Sequence, residues 1–73
     1  MPNLRVFING TAHDVAPGAT VLDAVRTANP AEAVAIERGE RMAVDSRGLP
    51  ADHLAAVFAG AIYRTQRAKS APG

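Results

Sequence analysis

The chain has 73 residues, 48% of them apolar, with no cysteine and with eight Lys and Arg against seven Asp and Glu, a formal charge of +1. That length gives one domain with one small core and leaves no room within these residues for a second. The lack of cysteine excludes disulfides, thiolate-held iron–sulfur clusters, zinc ribbons and thiol nucleophiles, and the near-neutral balance supplies no field for nucleic acid or an acidic partner.

Leu4-Arg5-Val6-Phe7-Ile8 alternates as a half-buried strand, with Leu4, Val6 and Ile8 on one face and Arg5 and Phe7 on the other. Asn9-Gly10 then supplies the positive φ angles of a tight hairpin turn. With a two-residue turn, Ile8 falls opposite Thr11, Val6 opposite His13 and Leu4 opposite Val15. A longer, bulged loop would instead turn His13 outward. Pro17-Gly18 breaks the second strand, and Thr20 with Asp23 forms a shortened capping box that opens a helix over about 20–28, ended by Pro30. Val21, Val25 and Ala28 form its apolar stripe, with Leu22 beside it. Val34 and Ile36, then Met42 and Val44 beyond Gly39-Glu40, read as a second hairpin. Asp45 to Pro50 reads as a loop. Leu54, Val57 and Phe58 at helical spacing predict a short helix near 52–59, Gly60 ends it, and residues 61–66 form a last strand. The reading is a domain over 1–67 and a flexible C-terminal tail over 68–73.

Alanine supplies much of the apolar fraction and the aromatics are limited to Phe7, Phe58 and Tyr63, so the expected core is thin and a large catalytic cleft is not expected. The longest apolar run, Leu54 to Ile62, is too short to cross a bilayer, and the N-terminus lacks the pattern of a secretory signal, so the expectation is a soluble cytoplasmic protein.

The order of elements, with Asn9-Gly10, the word Pro-Gly-Ala-Thr-Val-Leu-Asp-Ala at 17–24 and Ala-Gly-Ala-Ile at 59–62, resembles the β-grasp, or ubiquitin-like, superfamily over nearly the whole chain. The resemblance implies an α+β fold in which a mixed sheet of four to five strands curls around one main helix, the first and last strands lying parallel at its centre. Within that superfamily the chain is most similar to the ThiS/MoaD-type small sulfur carriers, which end in a mobile Gly-Gly activated by an adenylating enzyme. Here the end is Ala71-Pro72-Gly73, with proline in place of the penultimate glycine. Proline fixes φ and deletes an N–H, so such an enzyme would have to thread a less pliant tail. Plant-type ferredoxins share the Pro-Gly-x-Thr word, but 29–36 holds no thiol to carry their cluster. TGS domains share it too, and they imply a third reading, an RNA-binding module.

For chemistry, His13 and His53 are far apart with no ligand spacing, and Asp14, Asp23, Glu32, Asp45 and Asp52 each have a local structural role, so no metal, cofactor, nucleophile or general base is assigned. Asp45-Ser46-Arg47-Gly48 reads as a plain turn ahead of an anion-binding loop, and Arg64, Arg67 and Lys69 as solubilising charge. Phe7 stands out, because alternation sends it to the sheet face away from the helix, where either Arg5, Arg64 and Tyr63 lie beside it as a partner-binding patch or the tail or the 45–53 loop covers it. The expected function is that of a non-enzymatic interaction module or accessory subunit of a larger protein assembly. The alternative is a carrier modified at Gly73.

Overall fold

In the computed structural model, residues 2–68 are described. Two strands, β1 (Leu4–Ile8) and β2 (Thr11–Val15), pair antiparallel in the two-residue register, with Leu4 opposite Val15, Val6 opposite His13 and Ile8 opposite Thr11. Asn9 at φ 52° and Gly10 at φ 84° turn the chain, the left-handed pair that such hairpins need. The sheet is completed by β3 (Arg41–Asp45) and β4 (Ile62–Arg67) in the order β2-β1-β4-β3. β1 and β4 run parallel at its centre, Phe7 beside Ile62 and Ile8 beside Tyr63. The fold is therefore a small α+β domain built on a four-stranded mixed sheet.

Helix α1 (Val21–Ala28) starts on the expected capping box: the Asp23 N–H donates to Thr20 Oγ1 (3.1 Å) and the Thr20 N–H to Asp23 Oδ2 (3.0 Å). These hydrogen bonds satisfy donors that a helix N-terminus leaves open. The Asp23 pKa is lowered chiefly by the Thr20 backbone N–H that its carboxylate accepts, and further by the Thr20 hydroxyl and by Arg26.

The expected second hairpin is not formed, because residues 30–37 are a helix, α2 (Pro30–Glu37). Pro30 does end α1, yet it also occupies the first position of α2, where a missing N–H costs nothing. Asn29 caps both, its side chain accepting from the Ala31 and Glu32 N–H groups. Three alanines and two glutamates favour the helix, and Ala33 and Ile36, three apart, are its buried pair. Gly39, at φ 76°, closes α2 as a Schellman stop: its N–H reaches the Ile36 carbonyl and the Glu40 N–H that of Ala35. Val34, expected in the sheet, is exposed on α2.

The short helix expected near 52–59 is also absent; this segment crosses the start of α1 as turns and an extended bridge, Thr20 pairing with Ala56. Its carbonyls are spent on the helix, His53 accepting from Leu22 N–H (2.8 Å) and Ala55 from Val21 N–H (2.9 Å). Of its three apolar residues only Val57 is buried, while Leu54 and Phe58 are exposed.

Both helices lie on one face of the sheet, and the core between them holds Val6, Ile8 and Val15 with Val21, Val25 and Ile36. Val44, expected in this core, is 1% exposed but sits on the other face, between Arg64 of β4 and Pro50, whose segment pairs along the outer edge of β3. A polar chain locks the far end: Asn9 Nδ2 donates to Thr65 Oγ1 (3.0 Å), Thr65 Oγ1 donates to Glu32 Oε1 (2.8 Å), and Glu32 ion-pairs with Arg41. No helix among the described residues is long and apolar enough to cross a membrane.

Candidate functional site

Alternation in β1 places Phe7 on the sheet face that neither helix covers, as expected, and the structure leaves it half-buried. Its lateral neighbours in the ladder are Ala12 of β2 and Ile62 of β4. Ile62 is 47% exposed, so the two side chains form a small apolar centre on this face, while Val44, on the same face beside Arg64, is buried. Arg5 lies two residues before Phe7 on the same face and pairs with Asp14 at 3.4 Å, an exposed contact worth little by itself. Arg64 lies two residues after Ile62, exposed and without an ion pair among the described residues.

Tyr63 is a correction to the expected patch. It pairs with Ile8, so it points to the helix side, and it is only 5% exposed. The alternation Ala61, Tyr63, Thr65 against Ile62, Arg64, Gln66 carried this information, and it assigns the place beside Phe7 to Ile62. Gly73, the expected modification site, lies outside the described residues.

At the Tyr63 end of the sheet there is a half-open groove of about 470 Å³. Its walls are the turn at Asp45–Arg47 and the strip at Ala55–Ala56, with Phe58 and Ile62 at the rim and Ala61 and Tyr63, both almost fully buried, as its deepest residues. The alanines account for the space, since they leave unfilled the volume that larger residues would occupy. Burial raises the Tyr63 pKa and the neighbouring Asp45 charge adds to it, so the phenol stays protonated.

The Asp45 carboxylate accepts the Arg47 N–H (2.8 Å), the Leu49 N–H (3.1 Å) and the Arg47 guanidinium (3.1 Å). The Leu49 hydrogen bond leads in holding its pKa below the usual value, with Arg47 assisting. The loop's own N–H groups are thereby consumed, which is the plain turn and not an anion cradle.

The two histidines are held at different ends of α1. His13 lines a second cavity of about 230 Å³ with Val25 and Ala28 from the end of the helix, whereas the His53 carbonyl bonds its first turn. Among the described residues no three His, Asp or Glu side chains gather into a metal-binding group. The remaining acidic residues act locally, Asp52 accepting the Leu54 N–H and Glu37 meeting Arg26 across the two helices. No family model matches the chain, and no curated protein or solved structure matches it.

Proposed function

We propose that the chain is a β-grasp interaction module that docks another protein on its uncovered sheet face, through Phe7 and Ile62 flanked by Arg5 and Arg64. The strand order β2-β1-β4-β3, with parallel central strands and both helices on one side, supports the superfamily reading. The observation that carries the docking reading is the exposed Ile62 beside half-buried Phe7, with Arg64, which has no ion pair among the described residues, two positions along the strand. An apolar centre within a cationic rim matches the composition of interface hot spots, and it fits a partner that offers an apolar patch edged with carboxylates.

The test is affinity for the protein that co-purifies with the full chain under native conditions. Phe7→Ser should weaken that complex about tenfold or more while the domain keeps its thermal transition. Arg64→Glu should weaken it further at low salt than at high salt. Unchanged affinity in both variants rejects the face. An intact mass that includes exchange of a terminal oxygen for sulfur would replace this reading with carriage at Gly73.

A further inference from the structure

The first hairpin turn carries a reactive pair that the fold holds in check. In an asparagine–glycine step the glycine nitrogen can close a five-membered ring on the asparagine side-chain amide, and the missing Cβ leaves that nitrogen unshielded. Gly10 is exposed with open space around it, and its N–H makes no backbone hydrogen bond among the described residues. The attacking nitrogen is therefore unobstructed.

Asn9 is the restrained partner. Its N–H bonds the Tyr63 carbonyl (3.0 Å), the chain then turns away from β4, and the Asn9 side chain continues the ladder in place of the backbone. Asn9 Oδ1 accepts the Thr65 N–H (3.0 Å) and Asn9 Nδ2 donates to Thr65 Oγ1 (3.0 Å). A backbone N–H can only donate, so the amide has one orientation in this clamp. Ring closure makes Cγ tetrahedral and expels Nδ2, so both hydrogen bonds must be given up before Gly10 can react.

The products do not fit the same clamp. Donors run one way along it, from Asn9 Nδ2 to Thr65 Oγ1 and from Thr65 Oγ1 to Glu32 Oε1 (2.8 Å), while Glu32 ion-pairs with Arg41. A carboxylate at position 9 has no proton to give, so Thr65 Oγ1, with its single proton, would face two acceptors and leave one contact repulsive. An isoaspartyl link would also lengthen the backbone of a turn made by two residues alone.

We propose that Asn9-Gly10 is a self-modification site, slowed by the Thr65 clamp, whose deamidation loosens the hairpin's hold on the end of β4. The Gly10 nitrogen bonds to Asn9 Cγ, the Cγ–Nδ2 bond breaks, and ammonia leaves carrying the Gly10 amide proton. Water then opens the cyclic imide at either carbonyl, giving aspartate or isoaspartate with no redox change. The experiment follows conversion at position 9 by peptide-mapping mass spectrometry during incubation of the full chain at mildly alkaline pH, beside a blocked peptide of residues 5–13. The folded chain should convert about tenfold more slowly than the peptide. Thr65→Val, which removes the hydroxyl and keeps the N–H, should convert about threefold faster than the native chain. Thr20→Ala, which weakens the distant start of α1, should convert at the native rate. Asn9→Asp should lower the urea midpoint, and by less when combined with Thr65→Val. The proposal is overturned by equal rates in chain and peptide, by a Thr65→Val rate that matches the native one, by equal acceleration in Thr20→Ala, or by an Asn9→Asp chain as stable as the native.

Discussion

Replacing Thr20 by alanine tests whether the start of α1 is a shared joint. The substitution removes the Oγ1 acceptor of the Asp23 N–H, at 3.1 Å, but keeps the Thr20 N–H, which Asp23 Oδ2 holds at 3.0 Å. Half the capping box is therefore lost, and N-cap replacements of this kind cost about 1 kcal/mol, at most about 2. The Val21 and Leu22 N–H groups keep their partners in the Ala55 and His53 carbonyls, which holds the loss near the lower figure. With a urea dependence of about 1 kcal/mol per molar for so small a domain, the unfolding midpoint should fall by about 1 M. Asp23→Ala should cost a similar amount, and the double variant less than the sum, because the two side chains complete one reciprocal motif. A midpoint that does not move, or fully additive losses, would refute the joint. A loss above about 3 kcal/mol would also refute it, since the box alone cannot supply that much.

Glu32→Ala should destabilise the domain by about 1–3 kcal/mol in the same assay, because it strands the Arg41 guanidinium and removes the acceptor of Thr65 Oγ1; Glu32→Gln, which keeps an acceptor, should cost less. The lowered pKa values of Asp23 and Asp45 give a defined acid response. Both carboxylates contribute stability that is present above their ordinary value of 3.8 and is lost as pH falls through their depressed folded values, so thermal midpoints should be level near neutrality and decline below about pH 4. Asp23→Ala should flatten part of that decline, and Thr20→Ala, which removes the hydroxyl but keeps the backbone N–H, a smaller part; an unaltered acid profile in Asp23→Ala would contradict the assigned cause.

The elements legible in the sequence are those whose signals are local and unambiguous. Asn9-Gly10 marked the turn, the two-residue loop gives the observed register with Leu4, Val6 and Ile8 on one face, and Thr20 with Asp23 marked the start of α1. Residues 30–37 resemble a strand in sequence because Val34 and Ile36 alternate over a stretch too short to separate a strand from a helix. The decisive signals were Asn29-Pro30 as a start and Gly39 as a stop, together with the alanines. Residues 52–59 failed for a different reason. Their apolar spacing suits a helix, but their carbonyls gain more by capping α1, a tertiary advantage that propensity does not record. For the candidate site, Phe7, Arg5 and Arg64 followed from alternation in β1 and β4. The groove did not, since it arises where two non-local segments fail to fill a space.

Strand β4 sits between β1 and β3, yet it is the last of the strands to leave the ribosome. Until residues 62–67 emerge, the first hairpin and β3 each keep an unsatisfied inner edge, and Val6 and Ile8 have no floor beside them. The sheet therefore cannot zip up progressively during synthesis; it must close late, in one long-range step. Any substitution that delays that step prolongs the exposure of two adhesive borders, so its harm would appear as poor yield before it appeared as a lower melting point.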